Sequence, residues 1–219
     1  MHESRSVDMD ELRVFFESLA SEWDAQQPLD RVTVLNRLLA PFAQVLENAK
    51  AILEVGTGTG ALIPCLQDRA TTAALVSIDL AGEMLRRARQ RCPEAIVAQA
   101  DVHHLPFVMP GFDLVVCHNS FPHFADKPAA LLSLWRALQP GGYLLILHDL
   151  SREQVNAIHQ GAQASVIHND LLPPGGETRQ MLIRAGFGDV QVRDAEDCYV
   201  AVASRREGNG LNCRKEFVL

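Results

Sequence analysis

The stretch that decides the fold is AILEVGTGTG, residues 51–60, in which a short apolar run ends at a glycine-rich turn. A run of this length and composition predicts a buried β-strand, and residues 60–69 continue as a helix. In an open α/β sheet, ligands bind beyond the carboxyl ends of the strands, and glycines there let a ligand lie against bare backbone. The stretch therefore predicts a strand–turn–helix unit with a ligand site at the turn.

Short apolar segments alternate with helical segments along the rest of the chain. The predicted strands are residues 74–78, 95–98, 112–117, 143–147, 188–192 and 199–203, with a turn at 140–142. The predicted helices are residues 81–92, 127–138, 151–165 and 176–185, preceded by helices at 9–25 and at 30–47, the latter kinked at Pro41. Such alternation indicates a mostly parallel sheet covered on both faces. The link 193–198 is too short for a parallel crossover, so the last two strands are expected to form an antiparallel hairpin.

Composition limits the classes of function. A chain of 219 residues suits one domain. Its 20 Lys and Arg residues against 27 Asp and Glu residues give a net charge of −7, which disfavours nucleic-acid binding. No apolar run approaches the roughly 18 residues of a membrane-spanning helix. The five cysteines are widely spaced without a CxxC pair, which predicts reduced thiols in a cytoplasmic protein.

The glycine turn alone does not identify the ligand that it would bind. Asp79 ends the second predicted strand, 19 residues after Gly60, where a carboxylate can accept both hydroxyls of a ribose. With Ala61 the turn also fits the G-x-G-x-x-A fingerprint of dinucleotide-binding proteins. Asp79 can also serve simply as the N-cap of the following helix. The neighbouring motifs have to decide between these readings.

Four more features accompany the turn. Glu54 lies in the strand end, Asp101 and Val102 follow the third strand, FDLVV (112–116) forms the fourth, and LQPGGY (138–143) leads into the fifth. Together the segments EVGTGTG, SIDL, ADVHHLPF, FDLVV and LQPGGYLLI resemble, in order and spacing, the class I S-adenosylmethionine-dependent methyltransferases. The resemblance covers about residues 50–148. FESLASEWD (16–24) is also similar to the N-terminal helix of small-molecule methyltransferases near the quinone-biosynthesis C-methyltransferase group.

This resemblance implies a fold and a reaction. The fold is an α/β, Rossmann-like methyltransferase domain whose seven-stranded sheet has the order 3-2-1-4-5-7-6 with strand 7 antiparallel. A helical lid would occupy residues 1–48, the catalytic core 49–204 and a tail 205–219, all within a single domain. The implied cofactor is S-adenosyl-L-methionine and the implied partner a small-molecule methyl acceptor. Neither nucleic acid nor membrane is expected, and the protein is expected to be a monomer or homodimer.

The resemblance also assigns cofactor-binding residues. The glycine turn would line the methionine and ribose portions, with Glu54 near the amino group and Asp79 on the ribose hydroxyls. Leu80 and Met84 would flank the adenine and Asp101 would meet its amino group. The full implied set is Glu54, Gly56, Thr57, Gly58, Gly60, Asp79, Leu80, Met84, Asp101, Val102, His118 and Asn119.

Histidines are the one clue to the acceptor. Seven of the eight lie between residues 103 and 168. They can be unrelated structural side chains, they can supply acid–base chemistry, or some of His118, His123, His148, His159 and His168 can hold a metal ion. Local metal-ligand spacing is missing, so we assign no metal ligand. For acid–base chemistry the candidates are His148 or His123, with Asp149 as the orienting carboxylate.

Two other classes of protein remain as alternatives. A nicotinamide-dependent oxidoreductase would need a Tyr-x-x-x-Lys or similar pair, but Tyr143 and Tyr199 both lie in predicted strands. A non-catalytic protein could instead bind S-adenosylmethionine or a metal ion as a sensor. Thermal stabilisation by NAD but not by S-adenosylhomocysteine would favour the oxidoreductase. Tight metal binding with no turnover on any acceptor would favour the binding protein.

Overall fold

The structure is a computed structural model that describes residues 9–206, 217 and 219. Its strands are β1 (Ala51–Val55), β2 (Ala74–Asp79), β3 (Ile96–Gln99), β4 (Phe112–His118), β5 (Leu138–His148), β6 (Gly188–Asp194) and β7 (Tyr199–Ser204). Its α-helices are α1 (Met9–Leu19), α2 (Arg31–Leu39), α3 (Ala43–Asn48), α4 (Ile63–Arg69), α5 (Gly82–Arg91), α6 (Lys127–Ala137), α7 (Arg152–Gly161) and α8 (Gly175–Arg184).

All seven strands form one sheet in the order β3-β2-β1-β4-β5-β7-β6. Strands β1 to β5 pair in parallel, whereas β7 runs antiparallel to both β5 and β6. The implied sheet order and the C-terminal hairpin are therefore confirmed. The strand order reverses between β1 and β4, which places a ligand crevice at the carboxyl ends of these two strands.

Alternating side chains bury both faces of the sheet. In β4, Val115 and Cys117 pack into a cluster with α6 and α8, while Leu114 and Val116 pack into a second cluster with α2, α3 and α4. This alternation follows from the two-residue period of a strand, and the apolar character of both faces explains why the strands are continuous hydrophobic runs.

The N-terminal segment, which comprises residues 9–26, covers the carboxyl end of the sheet on the β2 side. Ala20 packs with Ala81 and Met84 of the α5 region, and Phe16 and Trp23 lie against this small cluster. The helix predicted over 9–25 ends at Leu19 and is followed by a turn and a 3-10 helix, so the apolar spacing outlasts the α-helix.

The remaining differences from the sequence prediction lie at element ends. The helix predicted over 30–47 is divided into α2 and α3 by a 3-10 turn containing Pro41, as the proline predicts. Strand β5 begins at Leu138, which pairs with Phe112, and the predicted 140–142 turn is instead an irregularity within the strand. Within the part of the chain that the structure describes, no helix is long and apolar enough to cross a membrane. Most of the predicted tail, residues 207–216 and 218, lies outside the described residues.

Candidate active site

A first cavity opens at the carboxyl ends of β1, β2 and β4, where the sheet order reverses. Its empty volume, which includes solvent at its open side, is about 980 Å³. Its wall consists of Met9, Leu12, Phe16, Trp23, Gln27, Arg31, Glu54, Val55, Gly56, Thr57, Gly58, Leu62, Ile78, Asp79, Leu80, Met84, Ala100, Asp101, Val102, His103, His118, Asn119, Ser120, His123 and Phe124. Eleven of the twelve predicted cofactor-binding residues therefore meet in one place.

Gly56 is required because the β4 loop approaches it closely. It has a φ of 76°, and a Cβ built on it would lie 2.3 Å from Cβ of Ser120. The Ser120 hydroxyl donates a hydrogen bond to the Val55 carbonyl at 2.8 Å, which fixes the loop against β1. Nothing in the local sequence pattern marks Ser120 as part of the site, because 65 positions separate it from its partner.

Gly58 and Gly60 have different surroundings. Gly58 lines the first cavity, and a Cβ on it would meet only Nε1 of Trp23, at 3.9 Å. Gly60 does not belong to the cavity wall, and a Cβ on it would lie 3.0 Å from Cβ of Ala88 on α5. Gly60 thus allows α5 to pack against the turn, and its predicted contact with a cofactor has no counterpart in the cavity wall.

Asp79 ends β2 and is held by two backbone amides. Its Oδ2 accepts a hydrogen bond from the Gly58 amide at 2.8 Å, and its Oδ1 accepts one from the Ala81 amide at 2.9 Å. Burial nevertheless raises the pKa of Asp79 above its ordinary value. The carboxylate therefore ties the glycine turn to the start of α5 while facing the cavity.

Glu54 is a buried carboxylate at the end of β1. Its Oε2 accepts hydrogen bonds from Ser77 Oγ at 2.6 Å and from Thr57 Oγ1 at 2.9 Å. Burial outweighs these bonds and raises the pKa of Glu54 to about 7. A cation in the cavity would favour the ionised form of Glu54.

The adenine side of the cavity, as the resemblance implies it, contains apolar side chains and one acid. Leu80, Met84 and Val102 line the wall, and Met84 and Val102 are buried. Asp101 Oδ1 accepts hydrogen bonds from the backbone amide of His103 at 2.9 Å and from its Nδ1 at 2.6 Å. Burial alone would raise the pKa of Asp101, but these hydrogen bonds lower it overall.

The end of β4 presents two buried polar atoms that have no hydrogen-bond partner among the described residues. These atoms are Nε2 of His118 and Oδ1 of Asn119. Burial lowers the pKa of His118 to about 4, so its ring is neutral at pH 7. Asn119 has a φ of 51° and uses its Nδ2 to donate to Asp149 Oδ1 at 2.8 Å. Because both residues also line the first cavity, these atoms are candidates for hydrogen bonds to a ligand.

A second cavity adjoins the first. It is lined by Phe15, Phe16, Leu19, Trp23, Gln26, Gln27, Pro28, Asn119, His123, Asp149, Leu150, Ile158, His159, Ala162, Gln163, Ala164 and Ile167. Five residues line both cavities: Phe16, Trp23, Gln27, Asn119 and His123. The two spaces therefore meet at the end of β4 beneath the N-terminal segment.

His123 is anchored at this junction by Asp170. The His123 Nδ1 lies 2.7 Å from Asp170 Oδ2, and its ring packs edge-on against Phe16 with centroids 4.8 Å apart. The His159 ring is also 4.8 Å from the His123 ring, and its Nδ1 bonds the Asp170 carbonyl. Sequence analysis missed Asp170 because 47 residues separate it from His123.

The other two predicted catalytic residues are placed differently. His148 is 1% exposed and lines neither cavity, and its Nε2 has no partner among the described residues. Burial, followed by His118, His123 and His159, lowers the pKa of His148 well below its ordinary value. Asp149 lines the second cavity, but its carboxylate accepts from Asn119. The carboxylate that bonds His123 is that of Asp170 instead.

A metal centre finds no support in the described residues. Across residues 9–206, 217 and 219, no group of three or more His, Cys, Asp or Glu side chains is arranged to hold a metal ion. His168 is separate from the other histidines and bonds the Ala162 carbonyl through Nε2 at 2.6 Å.

Comparisons with known proteins agree with this geometry. A family model described as a methyltransferase domain matches residues 53–146. The chain is 34% identical over 208 residues to a malonyl-[acyl-carrier protein] O-methyltransferase of Geobacter sulfurreducens, covering 87% of this chain and 75% of that protein. It is 28% identical over 209 residues to a ubiquinone/menaquinone biosynthesis C-methyltransferase of Methylococcus capsulatus, covering 90% of this chain and 78% of that protein.

Solved structures show the same fold. An S-adenosylmethionine-dependent methyltransferase of Thermotoga maritima superposes with a TM-score of 0.64 at 18% identity, covering 89% of this chain and all of that one (100%). Human N-acetylserotonin methyltransferase, solved with S-adenosylmethionine, gives a TM-score of 0.61 at 18% identity. The superposition covers 91% of this chain and 57% of that one.

Sheet order, switch-point cavity and glycine turn together define a class I methyltransferase fold. The chain belongs to the S-adenosylmethionine-dependent methyltransferase family, and its cofactor is S-adenosylmethionine.

Proposed function

We propose that the protein binds S-adenosylmethionine in the first cavity and methylates a small molecule held in the second. The observation that carries this proposal is the meeting of the two cavities at His123 and Asn119. A methyl donor and a methyl acceptor must meet in line, and orientation of this kind contributes roughly 7–11 kcal/mol to lowering a barrier. Two cavities that share one wall satisfy that requirement.

The residues of the first cavity fit the cofactor. S-adenosylmethionine carries an ammonium and a sulfonium group, and the cavity wall offers three carboxylates, those of Glu54, Asp79 and Asp101, against the single cation of Arg31. Gly58 leaves bare backbone at the turn. The unpartnered Oδ1 of Asn119 is a hydrogen-bond acceptor suited to an ammonium group, and Nε2 of His118 accepts as well in the tautomer that carries its hydrogen on Nδ1.

Individual roles follow from position. We assign Asp79 to the ribose hydroxyls, Asp101 to the adenine amino group, and Glu54 to the ammonium end. Thr57 orients Glu54 through its hydroxyl, and Gly56 lets the Ser120 loop close on β1. Leu80, Met84 and Val102 supply apolar contacts for the adenine. Gly60 supports the site through α5.

The bound cofactor supplies a methyl group that its positive sulfur already activates. The protein's own residues position the acceptor and exclude water, and Phe16 and Trp23 of the N-terminal segment cover the junction from above. We propose His123 as the group that takes a proton from the acceptor. His148, the other predicted candidate, is separated from both cavities by its burial.

We propose a single domain in which residues 1–48 form the lid, and a monomer or homodimer that acts without nucleic acid. All four cysteines that the structure describes are free thiols, which supports a cytoplasmic location.

The test is binding and turnover on one preparation. Titration calorimetry should show S-adenosylhomocysteine binding with one site per chain, and labelled methyl groups from S-adenosylmethionine should appear on a small-molecule acceptor. Binding of NAD in place of S-adenosylhomocysteine would reject the proposal, and binding without turnover on any acceptor would favour a sensor.

A further inference from the structure

The second cavity has a largely apolar wall with a single carboxylate. Ten of its 17 lining residues are apolar and four are amides, and among these described residues none is Lys or Arg. The carboxylate, Asp149, already accepts a hydrogen bond from Asn119 and is attracted to Arg31 of the first cavity. An anionic acceptor would therefore lose its hydration without gaining a counter-ion, and a cationic one would find only a carboxylate that is already engaged.

Two oxygens of a single residue anchor two imidazole rings in this wall. The carboxylate of Asp170 bonds Nδ1 of His123, and its main-chain carbonyl bonds Nδ1 of His159. A carbonyl oxygen can only accept a hydrogen bond, so Nδ1 of His159 carries the hydrogen. In a neutral ring, Nε2 then carries a free lone pair. Burial and the neighbouring His123 lower the pKa of His159, which keeps its ring neutral.

Nδ1 of His123 lies against a carboxylate that is 3% exposed. An ionised carboxylate can only accept, so it selects the tautomer with the hydrogen on Nδ1 and leaves Nε2 to act as a base. Only His123 of the pair lines both cavities. Lys127, the nearby cation, is bonded to the carbonyls of Pro122 and Phe124 and does not line either space.

We infer that the acceptor is an uncharged, largely apolar molecule bearing a hydroxyl group, whose proton passes to His123 while Asp170 positions the ring. This inference rests on the proposed function. The O–H bond of the acceptor breaks and its electron pair forms the new O–CH₃ bond. The sulfur retains the electron pair of its broken bond to the methyl carbon and becomes a neutral thioether. The proton leaves Nε2 of His123 for solvent, so the positive charge lost from sulfur leaves as that proton.

Acceptor class is tested with compounds that share one ring skeleton and differ in one group, such as 2-naphthol, 2-naphthoate and 2-(aminomethyl)naphthalene, extended to single-ring analogues. Binding is measured by thermal shift in the presence of S-adenosylhomocysteine, and turnover by labelled methyl transfer. We expect kcat/KM at least about tenfold higher for the hydroxyl members. Preference for the carboxylates or amines, or binding of no member, would overturn the inference. S-adenosylhomocysteine binding alone decides the cofactor assignment, so the two failures are distinguishable.

The anchoring role of Asp170 has a readout that does not depend on activity. Nitrogen-15 NMR of the wild-type imidazoles should show hydrogen on Nδ1 of both His123 and His159. In Asp170→Ala, His123 should lose this preference while His159, bonded to the main chain, keeps it as an internal control. A wild-type His123 with its hydrogen on Nε2 would overturn the assignment.

A milder variant covers the case in which Asp170→Ala does not fold. Asp170→Asn should lower kcat by tenfold or more with KM for the acceptor and affinity for S-adenosylhomocysteine within about twofold. The exposed Asp68→Asn on α4 serves as the matched control and should change none of these values. An unchanged kcat in Asp170→Asn would contradict the positioning role.

Discussion

The two adjoining cavities differ in the chemistry of their walls. The first has three carboxylates and a backbone turn, whereas the second has apolar side chains, amides and two histidines. The first wall suits a ligand with fixed positive charges, and the second suits an uncharged ligand whose charge changes only during the reaction. Residues at the end of β4 belong to both cavities. In the proposed function, the fold would therefore separate binding of the donor from handling of the acceptor's proton.

The largest expected effect comes from removing the proposed base, His123. His123→Gln should lower methyl transfer by roughly 10²–10⁴-fold, the usual contribution of general acid–base catalysis. S-adenosylhomocysteine affinity should stay within about twofold, because the carboxylates of the first cavity remain. Rates and calorimetry on the same preparation check both values.

His148→Gln provides the comparison variant. Because His148 lines neither cavity, it should lower turnover far less than His123→Gln does. A full loss of activity in His148→Gln with an active His123→Gln would reverse the assignment of the base.

The next effect breaks the first cavity. Asp79→Ala should weaken S-adenosylhomocysteine binding by roughly 1.5–3 kcal/mol, the usual loss for hydrogen bonds to a charged group. The variant also frees the Gly58 amide that Asp79 holds at 2.8 Å, so part of the loss comes from the turn. Asp68→Asn is the control in calorimetry, and unchanged affinity in Asp79→Ala would reject the ribose role.

A pH titration sharpens the contrast between the walls. Burial raises the pKa of Glu54 to about 7, so below pH 7 the free protein holds a proton that a cationic ligand must displace. S-adenosylhomocysteine affinity should therefore rise about tenfold from pH 6 to pH 8 and then level off. His118 does not interfere, because its pKa of about 4 lies below this range.

Glu54→Gln is the control for this titration. Without the carboxyl group the affinity should be weaker and nearly independent of pH between 6 and 8. A wild-type affinity that stayed flat, or that fell as the pH rose, would contradict the proposed placement of the ammonium group beside Glu54.

The smallest effect concerns the cover over both cavities. Asp24 joins the N-terminal segment to the turn through Thr59 Oγ1 at 2.6 Å and to α5 through Arg91 Nη2 at 2.6 Å. Side chains of Asp24 and Arg91 are 38% and 35% exposed, so the ion pair contributes only about 0.2–1 kcal/mol. Asp24→Asn should speed S-adenosylhomocysteine dissociation up to about fivefold in stopped-flow measurements. Slower dissociation would contradict the role of Asp24 in holding the N-terminal segment over the cavities.

Local patterns predicted the first cavity better than the second. Asp79 ends β2, Glu54 is the penultimate residue of β1, and Asp101 follows β3 by two residues. Strand prediction alone therefore places all three at one edge of the sheet. Strand β5 starts earlier than predicted because the pairing of Leu138 with Phe112 depends on sheet register.

Long-range contacts account for what the sequence did not reveal. Asp170 meets His123 across 47 residues, and Asp24 meets Thr59 across 35, so neither pair leaves a periodic or spaced motif. The position of Gly60 outside the cavity wall also depends on a distant contact, since its neighbour Ala88 lies on α5. Spacing also could not separate His148 from His123, because the burial of His148 depends on the pairing of β5 with β7, which sets Tyr199 opposite it.

A crystal structure of the protein with S-adenosylhomocysteine tests the central claim most directly. The account predicts the ribose hydroxyls on Asp79, the amino group near Glu54 and His118, and the sulfur facing the second cavity between Asn119 and His123. A ligand whose sulfur faces away from His123, or one bound outside the first cavity, would contradict the account.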